Sequence, residues 1–185
     1  MKRALIVVDV QRDFCEGGAL AASDTRSLLE PLCKFIAVAR ESGTKMVFTQ
    51  DWHPPNHSSF QSQGGPWPVH CVAGSSGAEL MPPLVPASGD WVIHKGVTVE
   101  GVGYSGFDST TLVEKLRAQD VECVAVCGVA TEYCVRATAM DAAKLGFRVA
   151  VLTDLVRPVR AAAVEATLRE LATLGIDLTT SERWR

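Results

Sequence analysis

The sequence has no Cys-x-x-Cys pair, no cluster of basic residues and no apolar run of membrane-spanning length. Each absence excludes something. Without paired thiols, the six cysteines (Cys15, Cys33, Cys71, Cys123, Cys127 and Cys134) do not read as a redox couple. No export signal precedes them, so reduced thiols in a cytoplasmic protein are expected. Lysines and arginines number 18 against 21 aspartates and glutamates, for a net charge of −3, and no basic patch offers itself to phosphates. Nucleic acid is a poor partner for such a chain. The apolar run Ala4-Leu5-Ile6-Val7-Val8 meets Asp9 after five residues, too short for a signal peptide or a membrane span. There is no internal repeat and no low-complexity tract. With 185 residues, 47% hydrophobic and 21% charged, residues 1–185 are expected to form one domain with a sizeable core.

What is present alternates between strand-length apolar runs and segments of helical period, the pattern of an α/β fold around a mainly parallel six-stranded sheet. Strands are predicted at 4–10, 45–50, 91–94, 122–128, 148–153 and 176–179. The stripe Leu28, Leu32, Phe35, Ile36 and Ala39 predicts a first helix, with Ser27-x-x-Glu30 as a capping box, Pro31 near its first turn and Gly43 as its stop. A second helix is expected from Asp108 as cap through Leu112 and Leu116, and a fourth from Pro158 through Val164, Leu168 and Leu171 to Gly175. The third has Thr131 as N-cap and the inward stripe Val135, Ala139, Ala142 and Leu145, ended by Gly146. Cys134 then falls in its first turn, where a thiol feels the helix dipole. Residues 50–89 have no convincing period and are rich in Pro, Gly and Ser; a loop this long is usually functional or disordered.

All four histidines lie between His53 and His94. Asp51-x-His53 places two ligands on the same side of an extended segment, and His70 can close the set from the far end of the loop. An Asp/His/His set with open positions suits Zn²⁺, Fe²⁺ or Mn²⁺ acting on a substrate better than a closed structural site. A lone histidine is more often a hydrogen-bonded side chain; here the joint spacing reverses that reading. His57 is open between a fourth ligand, a residue that orients the ligands and a plain loop residue beside Ser58 and Ser59. His94 reads as structural.

Among the cysteines, Cys123 and Cys127 alternate with Val124 and Val126 and read as small buried hydrophobes. Cys134 has instead the helix start, the lysine and the carboxylate that an activated thiolate needs. Gly128-Val129-Ala130 ahead of it can bring backbone N–H groups to a developing oxyanion. Asp9 follows an apolar strand, where partial burial would raise its pKa and suit it to proton transfer; a cap or turn role stands beside that reading. Lys95 would supply a fixed positive charge. Asp9, Asp51, Lys95 and Cys134 each follow a predicted strand, and in open parallel sheets the carboxyl ends of strands meet at one site.

The stretches Asp9-Val10-Gln11-Arg12-Asp13-Phe14, Asp51-Trp52-His53-Pro54, Asn56-His57-Ser58-Ser59-Phe60, Trp67-Pro68-Val69-His70-Cys71-Val72, Lys95-Gly96 and Gly128-Val129-Ala130-Thr131-Glu132-Tyr133-Cys134-Val135 carry a resemblance. Through them the chain resembles, nearly end to end, the nicotinamidases of the isochorismatase-like cysteine hydrolases. The resemblance implies a three-layer α/β/α Rossmann-like fold, a catalytic triad of Asp9, Lys95 and Cys134, and one divalent metal, zinc before iron or manganese, on Asp51, His53 and His70. It also implies a cis peptide between Val129 and Ala130, and an oxyanion hole from the Ala130 and Cys134 N–H groups. Phe14, Trp67 and Tyr104 match positions that wall a pyridine pocket, with Val129 and Ala130 beside them. Arg12 replaces the family's usual Asn and is expected to face away from the chemistry. The fourth metal position varies in the family, leaving His57, Ser59 or water open here.

The implied reaction is hydrolysis of nicotinamide to nicotinate and ammonia, a step of NAD salvage, through a thioester on Cys134 with Asp9 moving the protons. Pyrazinamide-like amides are expected as further substrates. Relatives that act on N-carbamoyl amides or on isochorismate are the nearest rivals. Cys134 argues against the isochorismate reaction, and the Asp51/His53/His70 set against relatives without a metal. A metal-dependent binding protein without catalysis is the rival from another class, and a thiol redox role is weaker still. Monomers and homo-oligomers both occur in the family, so the oligomeric state stays open.

Overall fold

The computed structural model describes residues 1–184. Six strands, β1 (Lys2–Val8), β2 (Lys45–Asp51), β3 (Trp91–Lys95), β4 (Val121–Val129), β5 (Arg148–Arg157) and β6 (Asp177–Thr179), form one parallel sheet in the order β3-β2-β1-β4-β5-β6. Four α-helices accompany it: α1 (Thr25–Glu41), α2 (Leu112–Ala118), α3 (Arg136–Lys144) and α4 (Val164–Thr173). The α/β expectation holds, with every strand pair parallel.

The strands are apolar without alternation because both faces of the sheet are covered. In β1, Leu5 and Val7 point into a core shared with Leu28, Leu32 and Phe35 of α1. Ala4, Ile6 and Val8 point the other way, against Leu112 and Leu116 of α2, Ala139 and Ala142 of α3 and Leu171 of α4. This gives the three layers. Since β1 lies between β2 and β4, the chain winds outward in both directions from the centre, and the carboxyl ends of β1 and β4 flank the point where strand order reverses.

Several local expectations are corrected. Helix α1 begins at Thr25, so Ser27 lies inside it and its Oγ donates to the Asp24 carbonyl instead of forming a capping box; Glu30 pairs with Lys34. Pro31 consequently sits in the second turn of α1. Asp108 is not the cap of α2, which starts four residues later, after a turn in which Thr110 Oγ1 donates to the Gly106 carbonyl. A short 3-10 turn over Ala161–Ala163 delays α4, whose buried face is Thr167 and Leu171. Thr131 makes no side-chain cap: residues Thr131–Val135 form a π-helical turn and α3 follows it. Residues 52–90 run as turns tied by isolated bridges, Gln11 to Leu80, His53 to Val72 and Phe60 to Trp67. No helix among the described residues is long and apolar enough to cross a membrane.

Candidate active site

Sheet register brings the polar residues together. Val8 lies level with Thr49 on one side and Gly128 on the other, while Asp51 lies level with Lys95. Asp9 leaves β1 with φ of 50°, which turns its side chain over the sheet edge. Gly128 has φ of 109°, and a Cβ there would lie 2.2 Å from the Val8 carbonyl oxygen, so this close passage of β4 against β1 needs glycine. The Val129–Ala130 peptide that follows is cis. The Ala130 carbonyl accepts from the Tyr133 and Val135 N–H groups, which closes the turn carrying Cys134.

Lys95 is the centre of the polar cluster. Its Nζ donates to Asp51 Oδ1 at 2.6 Å and to the Gly103 carbonyl at 2.8 Å, and lies 3.5 Å from Cys134 Sγ. Asp9 Oδ2 is 2.8 Å away, and Thr49 Oγ1 donates to Asp9 Oδ1 at 2.6 Å. All of these side chains are buried. Burial pulls the lysine's pKa down, but the Asp51 and Asp9 carboxylates outweigh it and hold the ammonium well above the ordinary lysine value. Burial raises Asp9, with Asp51 adding to the shift and Lys95 opposing it. The same burial acts on Asp51, yet Lys95 and His53 outweigh it and hold that carboxyl below its usual range. Burial also pushes the Cys134 thiol up, against the pull of Lys95 and with the two carboxylates adding to the rise.

Beside this cluster, Asp51, His53 and His70 bring one ligand atom each within 4.8 Å of one another. The tautomers follow from the backbone. His53 Nδ1 faces the Gly96 carbonyl at 2.9 Å and His70 Nδ1 the Pro68 carbonyl at 2.7 Å; a carbonyl only accepts, so each Nδ1 carries a proton and Nε2 is the ring atom turned toward the trio. A carboxylate and two imidazoles oriented in this way fit a divalent transition ion. Gly96 is needed for this arrangement, since a Cβ there would come within 2.4 Å of His53 Cε1.

His57 stands outside that trio. Its Nε2 donates to the Gly101 carbonyl at 2.6 Å, its Nδ1 faces Ser59 Oγ at 2.7 Å, and its ring stacks on His53 at 4.0 Å. In this arrangement both nitrogens are engaged elsewhere, and His57 braces a metal-binding candidate while tethering the 96–103 segment. His94 stacks on Trp52 at 4.2 Å, away from the cluster.

Cys134 and Asp51 open into a narrow pocket lined by Phe14, Trp67, His70, Tyr104, Val129 and Ala130, together with Tyr133, Val159, Leu20 and Ala22. Trp67 Nε1 donates to the Tyr104 hydroxyl at 3.0 Å, and the Trp67 and Tyr133 rings meet edge to face at 5.1 Å. The cavity is thus an aromatic slot with a thiol, a carboxylate and an imidazole at its floor. Sequence reasoning assigns no role to Tyr133, although it precedes Cys134, nor to Val159, Leu20 and Ala22, which arrive from loops without a period. It also assigns no role to Thr49, whose only signal is a polar residue inside a predicted strand, or to Gln11, which appears only within the Asp9–Phe14 stretch.

Residues 3–183 match the isochorismatase domain family. The chain belongs to that family. Among its relatives, the nicotinamidase/pyrazinamidase of Mycobacterium tuberculosis is 39% identical, over 97% of this chain and 99% of the relative. The isochorismatase-family fold is similar to that of a Pyrococcus horikoshii pyrazinamidase solved in complex with zinc, at a TM-score of 0.94 and 43% identity over 97% of this chain and 99% of the other. It is also similar to an L. infantum protein solved in complex with nicotinate, at a TM-score of 0.87 and 40% identity over 98% and 93% of the two chains.

Proposed function

We propose that this isochorismatase-family chain is a nicotinamidase, hydrolysing the carboxamide of nicotinamide to nicotinate and ammonia. The observation that carries the reading is the buried contact of Lys95 with Asp9, Asp51 and Cys134 at the floor of a slot walled by aromatic side chains. Full-length likeness to nicotinamidases and pyrazinamidases supports the same substrate class.

In this reading Cys134 Sγ attacks the amide carbon and Asp9 takes the thiol proton. Asp9 is suited to hold it. Its Oδ2 lies 2.8 Å from Lys95 Nζ, and Asp9 and Cys134 bring ligand atoms within 4.8 Å of each other, while Thr49 fixes Oδ1. The Ala130 and Cys134 N–H groups receive the oxyanion. Collapse breaks the C–N bond as Asp9 returns the proton to the departing nitrogen, leaving a thioester and ammonia. A water then loses its proton to Asp9 and attacks the thioester; the C–S bond breaks, and nicotinate leaves as Cys134 recovers its proton. Lys95 keeps its charge throughout and stabilises the anionic stages. Phe14, Trp67, Tyr104 and Tyr133 hold the ring and exclude water.

Asp51, His53 and His70 are the residues that would hold a divalent ion, zinc before iron or manganese. When bound, it supplies an electrophilic position that a ring nitrogen of the substrate can occupy. The six free cysteines fit a reducing compartment, and we place the reaction in the cytoplasm, where nicotinate re-enters pyridine nucleotide synthesis.

The test is ammonia release from nicotinamide by purified protein, as isolated, after chelation, and with Zn²⁺, Fe²⁺ or Mn²⁺ restored. Release that falls on chelation and returns with one metal is expected. Folded protein with a free Cys134 thiol that releases no ammonia with any metal would exclude the reading.

A further inference from the structure

We infer that Gln11 and Asp13 are positioning residues that set the spacing of the metal-holding side chains, an inference resting on the reading that Asp51, His53 and His70 hold a divalent ion. Neither side chain lines the slot. Each instead grips the backbone at a ligand or at the residue beside one. The fully buried Gln11 amide pairs with both sides of Asp51: its Oε1 accepts the Asp51 N–H at 2.8 Å and its Nε2 donates to the Asp51 carbonyl at 2.8 Å. The second Nε2 hydrogen reaches the Ala78 carbonyl at 2.9 Å. Gln11 thereby continues the sheet ladder past the end of β1 and fixes where β2 releases the Asp51 side chain.

Asp13 acts at the other end of the set. Its Oδ2 accepts the Cys71 N–H at 2.7 Å, one residue after His70. Cys71 has φ of 45°, a conformation that a non-glycine residue holds only when its surroundings fix it, and its carbonyl accepts the His53 N–H at 3.0 Å. One carboxylate therefore fixes the hinge that joins His70 to His53. The space for it is reserved, because a Cβ on Gly77 would lie 2.1 Å from Asp13 Oδ2. Between the two, Arg12 points outward to an exposed ion pair with Glu79 at 3.1 Å and supplies an internal control.

Partners of this kind shape metal affinity without being ligands. The test measures Co²⁺ binding, with Co²⁺ alone as the probe, by calorimetry and by its visible absorption bands, alongside melting temperatures. Gln11→Met and Asp13→Ala are expected to weaken Co²⁺ binding by about 10–100-fold and to shift the bands. Asp13→Asn, which keeps an acceptor oxygen, and Arg12→Ala are expected to match wild type. Variants that melt earlier yet bind Co²⁺ with wild-type affinity and spectrum would overturn the inference, leaving Gln11 and Asp13 as structural residues only. If Gln11→Met fails to fold, the contrast between Asp13→Ala and Asp13→Asn decides by the same criterion. A wild-type protein that binds no Co²⁺ would overturn the metal reading and this inference together; tight wild-type binding with unaltered variants overturns this inference alone.

Discussion

Lys95 and Asp51 stand level in neighbouring strands, and the lysine Nζ donates to Asp51 Oδ1 across 2.6 Å. The other oxygen of that carboxylate, Oδ2, lies 3.4 Å from His53 Nε2. Asp51 is therefore divided between two sets, one built around the thiol and one suited to a metal. A single carboxylate makes the two halves of the site neighbours.

Removing the charge from Lys95 should damage both halves. Lys95→Met keeps the length of the side chain but leaves Asp9 and Asp51 buried without their cation. Breaking a buried ion pair from one side costs about 3–5 kcal/mol. The expected outcome is loss of ammonia release together with a stability loss of that size in urea unfolding. A variant as stable as wild type would show that the two carboxylates do not depend on Lys95 for charge balance.

Cys134→Ala separates the halves. It deletes the proposed nucleophile, while the three candidate metal-binding side chains and the backbone carbonyls that orient the two imidazoles stay untouched. Turnover should vanish, and Zn²⁺ content after reconstitution should equal that of wild type. Retained turnover would remove Cys134 from the mechanism.

How much of this was legible depends on the kind of contact. The α/β class followed from runs such as Ile6-Val7-Val8, because a sheet covered on both faces demands continuous apolar strands. Asp9, Asp51, Lys95 and Cys134 could be gathered from position alone, since each ends or follows a strand and parallel strands end on one edge. Helix starts were less legible: Asp24, Thr111 and Val135 flank α1, α2 and α3 without a side-chain cap bond. The π-helical turn that carries Cys134 has no compositional mark. Gln11 and Thr49 escaped notice because their partners lie 40 residues away along the chain, and only register makes them neighbours.

Thr49 offers a finer probe of Asp9. Its hydroxyl is the hydrogen-bond donor to Asp9 Oδ1, and a buried acceptor left without its donor costs about 1–3 kcal/mol. Thr49→Val preserves shape and deletes that bond. With Asp9 less well oriented, kcat should fall about tenfold or more, in line with roughly 1.4 kcal/mol per factor of ten, while KM for nicotinamide stays near wild type. A change confined to KM would indicate that Thr49 shapes the pocket rather than the proton path. Thr49→Ser, which restores the hydroxyl, should recover most of the rate.

Two glycines give the backbone prediction, because both have positive φ and only one is crowded. At Gly43, after α1, φ is 77° and no atom lies within 4 Å of where an alanine methyl would sit, so Gly43→Ala should cost only the left-handed strain of about 1–2 kcal/mol. At Gly128, φ is 109° and the same methyl would sit 2.2 Å from the Val8 carbonyl oxygen and 2.8 Å from the Val8 nitrogen. Those are backbone atoms of the central strand and cannot swing aside. Relieving the clash would push β4 off β1 at the point where Asp9 and the Cys134 turn must meet. Gly128→Ala is expected to be insoluble or inactive when made beside Gly43→Ala, with the latter retaining wild-type turnover and a slightly lower melting temperature. Equal melting temperatures and activities for the two variants would show that the Val8 to Gly128 approach is not what fixes the site.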